Sequence, residues 1–217
     1  MMRDCVFLLA DSTMAEVIDG FLSRGHLEGR IGCRTFAYEY QADVVVDVAH
    51  GNTDGGVHRR AHQILREHGY VTTHQHAVVV LDQKFGGQRP AAEVREEILR
   101  NLRANGWPGD RSEVIVIEPE LEVWMWQDSV HVEAAVGYRR PPSLRDFLGR
   151  DDLWPRGDAK PPQPKTLLKS VCRHNAVPYS AAVHREIAEN IRVKDCRDDA
   201  FRRLVDTLRR WFPLEAP

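Results

Sequence analysis

Three carboxylates in this chain each follow a short, continuous apolar run. Asp11 follows residues 5–10, Asp82 follows residues 77–81, and Glu118 follows residues 114–117. Apolar runs of this length predict strands that are buried on both faces, as in a parallel sheet covered by helices. Ligands of such sheets bind beyond the carboxyl ends of the strands. We therefore expect the three acids to share one edge, as a divalent-cation site or a proton-transfer site.

Two further acids, Glu120 and Glu122, follow the third run closely. If a helix begins there at once, Glu118 and Glu122 lie on the same helix face. Mg²⁺ is bound by one or two carboxylates, completed by waters and substrate phosphates. A structural explanation stays open, because acids in a first helical turn interact favourably with the helix dipole and Asp is common in turns.

The elements that position these acids alternate along the chain. Apolar patterns predict strands at residues 5–10, 34–38, 44–48, 77–82 and 114–118, and helices at residues 12–24, 57–68, 90–105 and 120–128. A polar turn-rich loop is expected over residues 50–56 and a flexible loop over residues 83–87. This order predicts an α/β fold with a mainly parallel sheet in a three-layer core.

The amino-acid composition of the chain changes near Tyr138, where proline-rich segments begin. We predict an α/β domain over residues 1–138 and a basic, mostly helical C-terminal lobe over residues 139–217 that packs on it. Residues 1–138 carry 13 Lys/Arg and 21 Asp/Glu, whereas residues 139–217 carry 17 and 11. The asymmetry either places phosphate-binding groups beside metal ligands or merely lets the two parts attract each other.

Composition restricts the class of protein. Hydrophobic residues make up 42% of the chain, and no apolar run approaches the roughly 20 residues that cross a membrane. The N-terminus enters a predicted strand directly, without a secretory pattern. The four cysteines form no CxxC pair and are interpreted as reduced thiols. We expect a folded cytoplasmic protein that does not contact membranes.

Basic, histidine and aromatic clusters supply the other candidates. Phosphate contacts are predicted for Arg59 and Arg60, after the Asp54–Gly56 turn, and for Arg202 and Arg209 in the tail. The default alternatives are a tight turn into a helix for the first pair and a solvated helix face for the second. His58 and His62 have the spacing of a zinc pair but lack further ligands, which favours surface histidines. Trp124 and Trp126 suit base stacking or, for at least one of them, the core.

Several of these segments together resemble the Toprim group, which supplies metal-dependent active sites to topoisomerases, primases and nucleases. They are similar in particular to small Toprim-like proteins of bacterial phage-defence islands, an accessory protein of the methylation-associated defence system among them. The segments are residues 6–11, 54–56, 78–82, 119–126, 128–129, 164–165 and 201–213. The Glu-x-Trp segment, Glu122 to Trp124, is the most specific of them.

The resemblance implies a Toprim-like fold and a Mg²⁺- or Mn²⁺-dependent, nuclease-like phosphoryl transfer on nucleic acid in phage defence. It implies Asp11, Asp82 and Glu122 as metal ligands. Glu118 or Glu120 would act as general base, and Lys165 would hold phosphates with the arginines above. Other proteins of the defence system would be partners.

Two departures from the Toprim pattern keep other functions open. Asp11 stands where active members have Glu, and Lys84 stands where a second acid follows Asp82. A lysine there repels a divalent cation. The second hypothesis is therefore a catalytically degenerate binding or assembly subunit of a multi-protein defence complex, and the third is a small-molecule phosphohydrolase.

Overall fold

A computed structural model describes residues 2–25, 27–46, 53–85, 89–190 and 192–214. Four strands form one sheet in which every neighbouring pair is parallel, in the order β2-β1-β3-β4. The strands are β1 (Arg3–Leu9), β2 (Val44–Val46), β3 (His74–Asp82) and β4 (Ser112–Ile117). The central strands are apolar on both faces, as residues 5–10 and 77–81 are all fully buried. The α/β class and the parallel sheet are confirmed.

Twelve α-helices are present among the described residues. They are α1 (Ser12–Leu22), α2 (Leu27–Ile31), α3 (Tyr40–Asp43), α4 (Thr53–Glu67), α5 (Tyr70–Thr73), α6 (Ala91–Ala104), α7 (Glu122–Met125), α8 (Val130–Ala135), α9 (Leu144–Arg150), α10 (Pro164–His174), α11 (Ala181–Asn190) and α12 (Asp199–Trp211). Two short 3₁₀ turns lie at Gln83–Phe85 and Val193–Asp195. None of these described helices combines the length and apolar character that crossing a bilayer requires.

The strand order determines where a ligand can bind. The chain moves one way from β1 to β2 and the other way from β2 through β3 to β4. Because parallel crossovers are right-handed, α1 lies on one face of the sheet and α4 and α6 lie on the other. A crevice therefore opens between the carboxyl ends of β1 and β3, the switch point at which open α/β sheets bind ligands.

The helices of residues 139–217 complete the layers around the sheet. Helix α11 packs along α1, and α12 packs on β4. The Phe21 and Phe201 rings, from α1 and α12, meet edge to face at 5.4 Å. One continuous buried cluster includes residues from both parts of the chain. The division of the chain at residue 138 stays a prediction.

Several element predictions are wrong or displaced. Residues 34–38 are not a strand, because their backbone bonds elsewhere: Arg34 N donates to Phe212 O at 2.9 Å and Ala37 N donates to Asp4 Oδ2 at 2.7 Å. Helix α4 begins at Thr53, inside the predicted loop, and residues 47–52 of the predicted strand and loop lie outside the described residues. So do residues 86 and 87 of the second predicted loop.

The predicted helix over residues 120–128 shrinks to the single turn of α7, preceded by a cis peptide bond between Glu118 and Pro119. Glu118 and Glu122 therefore do not share a helix. Their side chains lie in different environments, since Glu118 is exposed and Glu122 is only 1% exposed.

Candidate functional site

The acidic site lies at the switch point and is built around two buried carboxylates. Asp82 ends β3 and is 9% exposed, and Glu122 begins α7 and is 1% exposed. The Asp82 backbone N–H donates to Asp54 Oδ1 at 2.8 Å, which holds the start of α4 against the end of β3. We use the name acidic site for Asp11, Asp54, Asp82, Glu120 and Glu122.

Asp11 joins this site from the other side of the crevice. It is the N-cap of α1, and its Oδ1 accepts from Met14 N at 2.8 Å. Its charge is among those that raise the pKa of Asp82. The carboxyl ends of β1 and β3 therefore bring Asp11 and Asp82 together, as expected from parallel strands.

Glu122 is held by groups that the sequence analysis did not single out. The Tyr179 hydroxyl donates to Glu122 Oε1, and His184 Nε2 lies 3.6 Å from the same oxygen. His184 Nδ1 donates to the Ser180 carbonyl at 2.8 Å, which fixes the ring with Nε2 toward Glu122. Both residues come from the α10–α11 region, about 60 positions beyond Glu122, and no short motif links them to it.

Lys165 supplies the positive charge of the site. Its ammonium lies 3.4 Å from Glu122 Oε1, and its backbone N–H donates to Glu120 Oε1 at 3.2 Å. Burial acts to lower the pKa of Lys165, but the charges of Glu122, Asp82 and Glu120 outweigh it and raise the pKa. Lys165 therefore stays an ammonium, at the position that the sequence predicted for a phosphate-binding group.

The two buried carboxyls have opposite protonation behaviour. Burial, with the charges of Asp54, Glu122 and Asp11, raises the pKa of Asp82 to about 8. Burial alone would also raise the pKa of Glu122, but the His184 and Tyr179 side chains and the Lys165 charge lower it to about 2. The site therefore holds one ionised and one mostly neutral carboxyl at pH 7, the usual outcome when like charges share a buried space.

Lys84, two residues after Asp82, pairs with another acid of the site, Glu120. Its side chain is 70% exposed, and its ammonium lies 3.8 Å from Glu120 Oε2. Glu120 is buried and is thus contacted by Lys84 and by the Lys165 backbone. The positive charge of Lys84 stays at the rim of the acidic site.

The other predicted site residues lie apart from this cluster. Glu118 is exposed and lines a separate depression with Arg95 and Lys160. Arg209 donates to the Ile31 carbonyl and to Asp206, and its neighbour Arg210 faces Glu113 near the amino end of β4. Arg209 is therefore at the wrong end of the sheet to contact a phosphate at the acidic site.

The remaining predicted arginines differ in position. Arg202 is exposed and pairs with Asp199 at the start of α12. Arg59 is exposed on the first turns of α4, where its guanidinium approaches Gly55, and Arg60 is half-buried on the same helix. Arg59 thus lies five residues after Asp54, on the helix that borders the site.

The contacts of His58, Trp124 and Trp126 favour structural roles over zinc binding and base stacking. His58 lies 3.5 Å from Glu97 rather than in a histidine cluster. Trp124 and Trp126 are both 1% exposed, so neither offers a free face for stacking. Their indole N–H groups donate to Asp198 at 2.8 Å and to the Pro164 carbonyl at 2.9 Å.

The donor set of the acidic site fits a hard divalent cation with two protein ligands. Asp82 Oδ1 and Glu122 Oε2 are both buried and accept no hydrogen bond. Buried carboxylate oxygens are rarely left without a partner, which makes them candidates for cation ligands. Across the described ranges, no three Asp, Glu, His or Cys side chains converge into a complete metal cluster. Waters and phosphate oxygens would have to complete the coordination.

Comparison of the chain with protein-family models, with curated proteins and with solved structures found no match in any of the three.

Proposed function

We propose that the acidic site binds Mg²⁺ or Mn²⁺ and carries out nuclease-like phosphoryl transfer on nucleic acid. The observation that carries this proposal is the pair of unpartnered, buried oxygens, Asp82 Oδ1 and Glu122 Oε2, at the switch point of the sheet. Desolvated carboxylate oxygens without donors are costly, and a cation between them offsets that cost.

Asp82 and Glu122 would hold the cation, with Asp11 beside them. A bound Mg²⁺ or Mn²⁺ supplies Lewis acidity and lowers the pKa of a coordinated water. The protein's own part is to fix the ligands, since Tyr179 and His184 orient Glu122, and the Asp54 carboxylate fixes the backbone at Asp82.

Lys165 and Glu120 would act on the phosphate and the proton. The Lys165 ammonium, held within the carboxylate cluster, would contact a phosphate oxygen and offset developing negative charge. Glu120 lies beside Lys165 and Lys84, where it could accept a proton from a water. Glu118 does not share this position, so Glu120 is the base of this proposal.

The Toprim-like identity of the fold and a role in phage defence belong to the same proposal. They are supported by the sequence segments described above and by acids after β1 and at the end of β3 on a parallel sheet. The protein would use this activity together with partner proteins of a defence system.

The test is a nuclease assay on labelled DNA and RNA with Mg²⁺ or Mn²⁺. Asp82→Asn combined with Glu122→Gln should abolish cleavage. The matched control combines Asp110→Asn with Glu186→Gln, two exposed acids, and should retain wild-type activity. Cleavage that persists in the first double variant would contradict the assignment of the site.

A degenerate assembly subunit is the second candidate, and Lys165 favours it. An ammonium 3.4 Å from Glu122 already neutralises one of the two carboxylates, and Lys84 occupies the place of an acid. Titration calorimetry separates the two candidates. Mn²⁺ binding that Asp82→Asn abolishes supports the metal site, whereas no uptake of Mn²⁺ together with co-purification of partners supports the assembly role.

A further inference from the structure

A strongly basic depression lies away from the acidic site, around the segment 192–197. Its volume is about 650 Å³, and its charged lining among the described residues consists of six cations and two exposed acids, Asp128 and Asp158. The cations are Arg145, Arg156, Lys160, Arg192, Lys194 and Arg197. None of them was singled out by the sequence patterns.

This depression continues on both sides. Arg192 and Lys194 also line a second depression of about 360 Å³, to which Arg24 and Arg30 contribute. Lys160 and Arg197 also line a third, of about 500 Å³, together with two further arginines and with the acids Glu118, Asp198 and Asp199. We call the three together the basic groove. Because neighbouring depressions share lining residues, the groove suits an extended ligand better than one compact molecule.

Positive charge in the basic groove is only partly neutralised by the protein. The half-buried Lys160 ammonium donates to the Trp126 carbonyl at 2.8 Å, and burial lowers the pKa of Lys160. Burial and the charge of Arg30 lower the pKa of Arg24 to about 10. Lys194 and Arg197 are exposed and make no ion pair with any residue that the structure describes. An anion would relieve this repulsion.

The lining favours phosphate contacts over base contacts. Trp126 and Trp154 are 1% and 4% exposed, and Arg145 covers the Trp154 ring at 4.3 Å. Neither indole face is therefore open for a base to stack on. Cations that follow a groove bind the nucleic-acid backbone without regard to sequence. A recessed groove also suits one strand better than the convex surface of a duplex.

We propose that the basic groove binds the sugar–phosphate backbone of a single nucleic-acid strand. The binding needs neither metal nor the acidic site, so it goes beyond the proposed phosphoryl transfer and would hold for an inactive protein as well. Trp126 lies between the two regions. Its carbonyl accepts from Lys160 in the groove, and its indole donates to Pro164, the residue before Lys165.

Fluorescence anisotropy with a labelled 20-nucleotide single strand in EDTA tests the proposal. Lys194→Glu with Arg197→Glu should weaken binding at least tenfold at low salt. It should also reduce the slope of log K against log salt by about 1.4, because each lost phosphate contact on a single strand removes about 0.7. Arg156→Glu, at a side chain that is 78% exposed, should act in the same direction.

The matched control is Arg66→Glu with Arg100→Glu, two exposed arginines on α4 and α6 with the same change in charge. It should bind like wild type. Equal losses in the two double variants, or no strand binding by wild type at low salt, would overturn the proposal. Binding of tripolyphosphate without binding of the strand would also overturn it.

Asp82→Asn with Glu122→Gln separates this proposal from the proposed function. That variant should keep strand binding, because its changes lie outside the basic groove. Strand binding without cleavage in wild type would defeat the proposed phosphoryl transfer and leave the basic groove standing. Cleavage by wild type, together with strand binding that the groove variants leave unchanged, would overturn the basic groove and leave the proposed phosphoryl transfer standing.

Discussion

The Lys165 ammonium lies 3.4 Å from Glu122 Oε1, on the oxygen that Tyr179 also contacts, and leaves Glu122 Oε2 without a partner. The carboxylate is thus divided into one satisfied oxygen and one open oxygen. Asp82 Oδ1 is open in the same way. The open oxygens can accept a cation, whereas the satisfied oxygen of Glu122 holds the site together.

Mn²⁺ binding at pH 7 should release close to one proton, because the pKa of Asp82 is about 8 without metal and a ligating carboxylate must be deprotonated. Calorimetry in two buffers of different ionisation enthalpy measures the proton. Asp82→Asn should remove both the proton release and most of the affinity. Asp110→Asn is the control, and an unchanged proton count in Asp82→Asn would exclude Asp82 as the source.

The contribution of Asp82 to the stability of the metal-free protein should fall as pH rises from about 4 to 8, whereas His76, whose pKa burial lowers to about 4, contributes with the opposite sign up to about pH 6.5. In that window the native state keeps a proton on Asp82 that the unfolded state has lost, so the slope is on the order of 1.4 kcal/mol per pH unit. Glu122 has the opposite sign, because its pKa is lowered to about 2 and its contribution disappears as pH falls from about 4.5 towards 2.

Urea unfolding in EDTA at a series of pH values measures both slopes. Relative to wild type, the slope in Asp82→Asn between pH 4 and 8 should be more positive by about 1.4 kcal/mol per pH unit, while the profile below pH 4 stays unchanged. Equal slopes in wild type and Asp82→Asn between pH 5 and 8 would contradict the protonated state of Asp82.

Lys165→Met should tighten Mn²⁺ binding at least threefold and abolish cleavage. The ammonium competes with the cation for Glu122 but is needed to hold a phosphate. Lys84→Met is the matched control and should leave Mn²⁺ affinity nearly unchanged, since that side chain is 70% exposed and faces Glu120. Equal effects of the two variants on affinity would show that Lys165 has no special position.

Tyr179→Phe should destabilise the protein by about 1–3 kcal/mol, since it removes a donor from a buried carboxylate. It should also raise the pKa of Glu122 and move the acid limb of the stability profile to higher pH. Tyr70→Phe, at a half-buried tyrosine, is the control and should change stability by less than about 0.5 kcal/mol. If both variants lost stability over the same range of acid pH, the hydrogen bond from Tyr179 to Glu122 would be contradicted.

Asp43→Asn should destabilise the fold by roughly 3 kcal/mol without affecting metal binding. Asp43 is fully buried and accepts from Arg3 Nη2 at 2.7 Å, from His74 Nε2 at 3.1 Å and from Glu39 N at 2.6 Å. Asp199→Asn breaks only an exposed pair with Arg202 and should cost less than about 0.5 kcal/mol. Thermal unfolding of the two variants gives the comparison.

The sequence predicted the sheet because its signal is local. The apolar runs before Asp11, Asp82 and Glu118 are short, continuous and rich in Val, Ile and Leu, and each formed a central or neighbouring strand. Residues 34–38 alternate in the same local manner but found backbone partners in Phe212 and Asp4. Their conformation depends on a segment almost 180 residues away, which a local sequence pattern cannot indicate.

From the sequence, the candidate site could be predicted only for residues that directly follow a strand. Asp11 and Asp82 lie together because β1 and β3 are neighbours, and Lys165 was placed by its position after Pro164. Tyr179 and His184 were missed, because their role arises from the packing of α11 against α1 and α7. The basic groove was missed for the same reason, since its cations are scattered from Arg24 to Arg197.

Helix α11 lies along α1, although the two are separated by most of the chain. Contacts of such long sequence separation form late, because the entropy of closing the loop must be lost before the packing is gained. Tyr179 and His184 reach Glu122 only through that docking. During synthesis, the strands can therefore assemble while Glu122 is still hydrated. The acidic site acquires its buried, unequal carboxyls only once α11 has docked on α1.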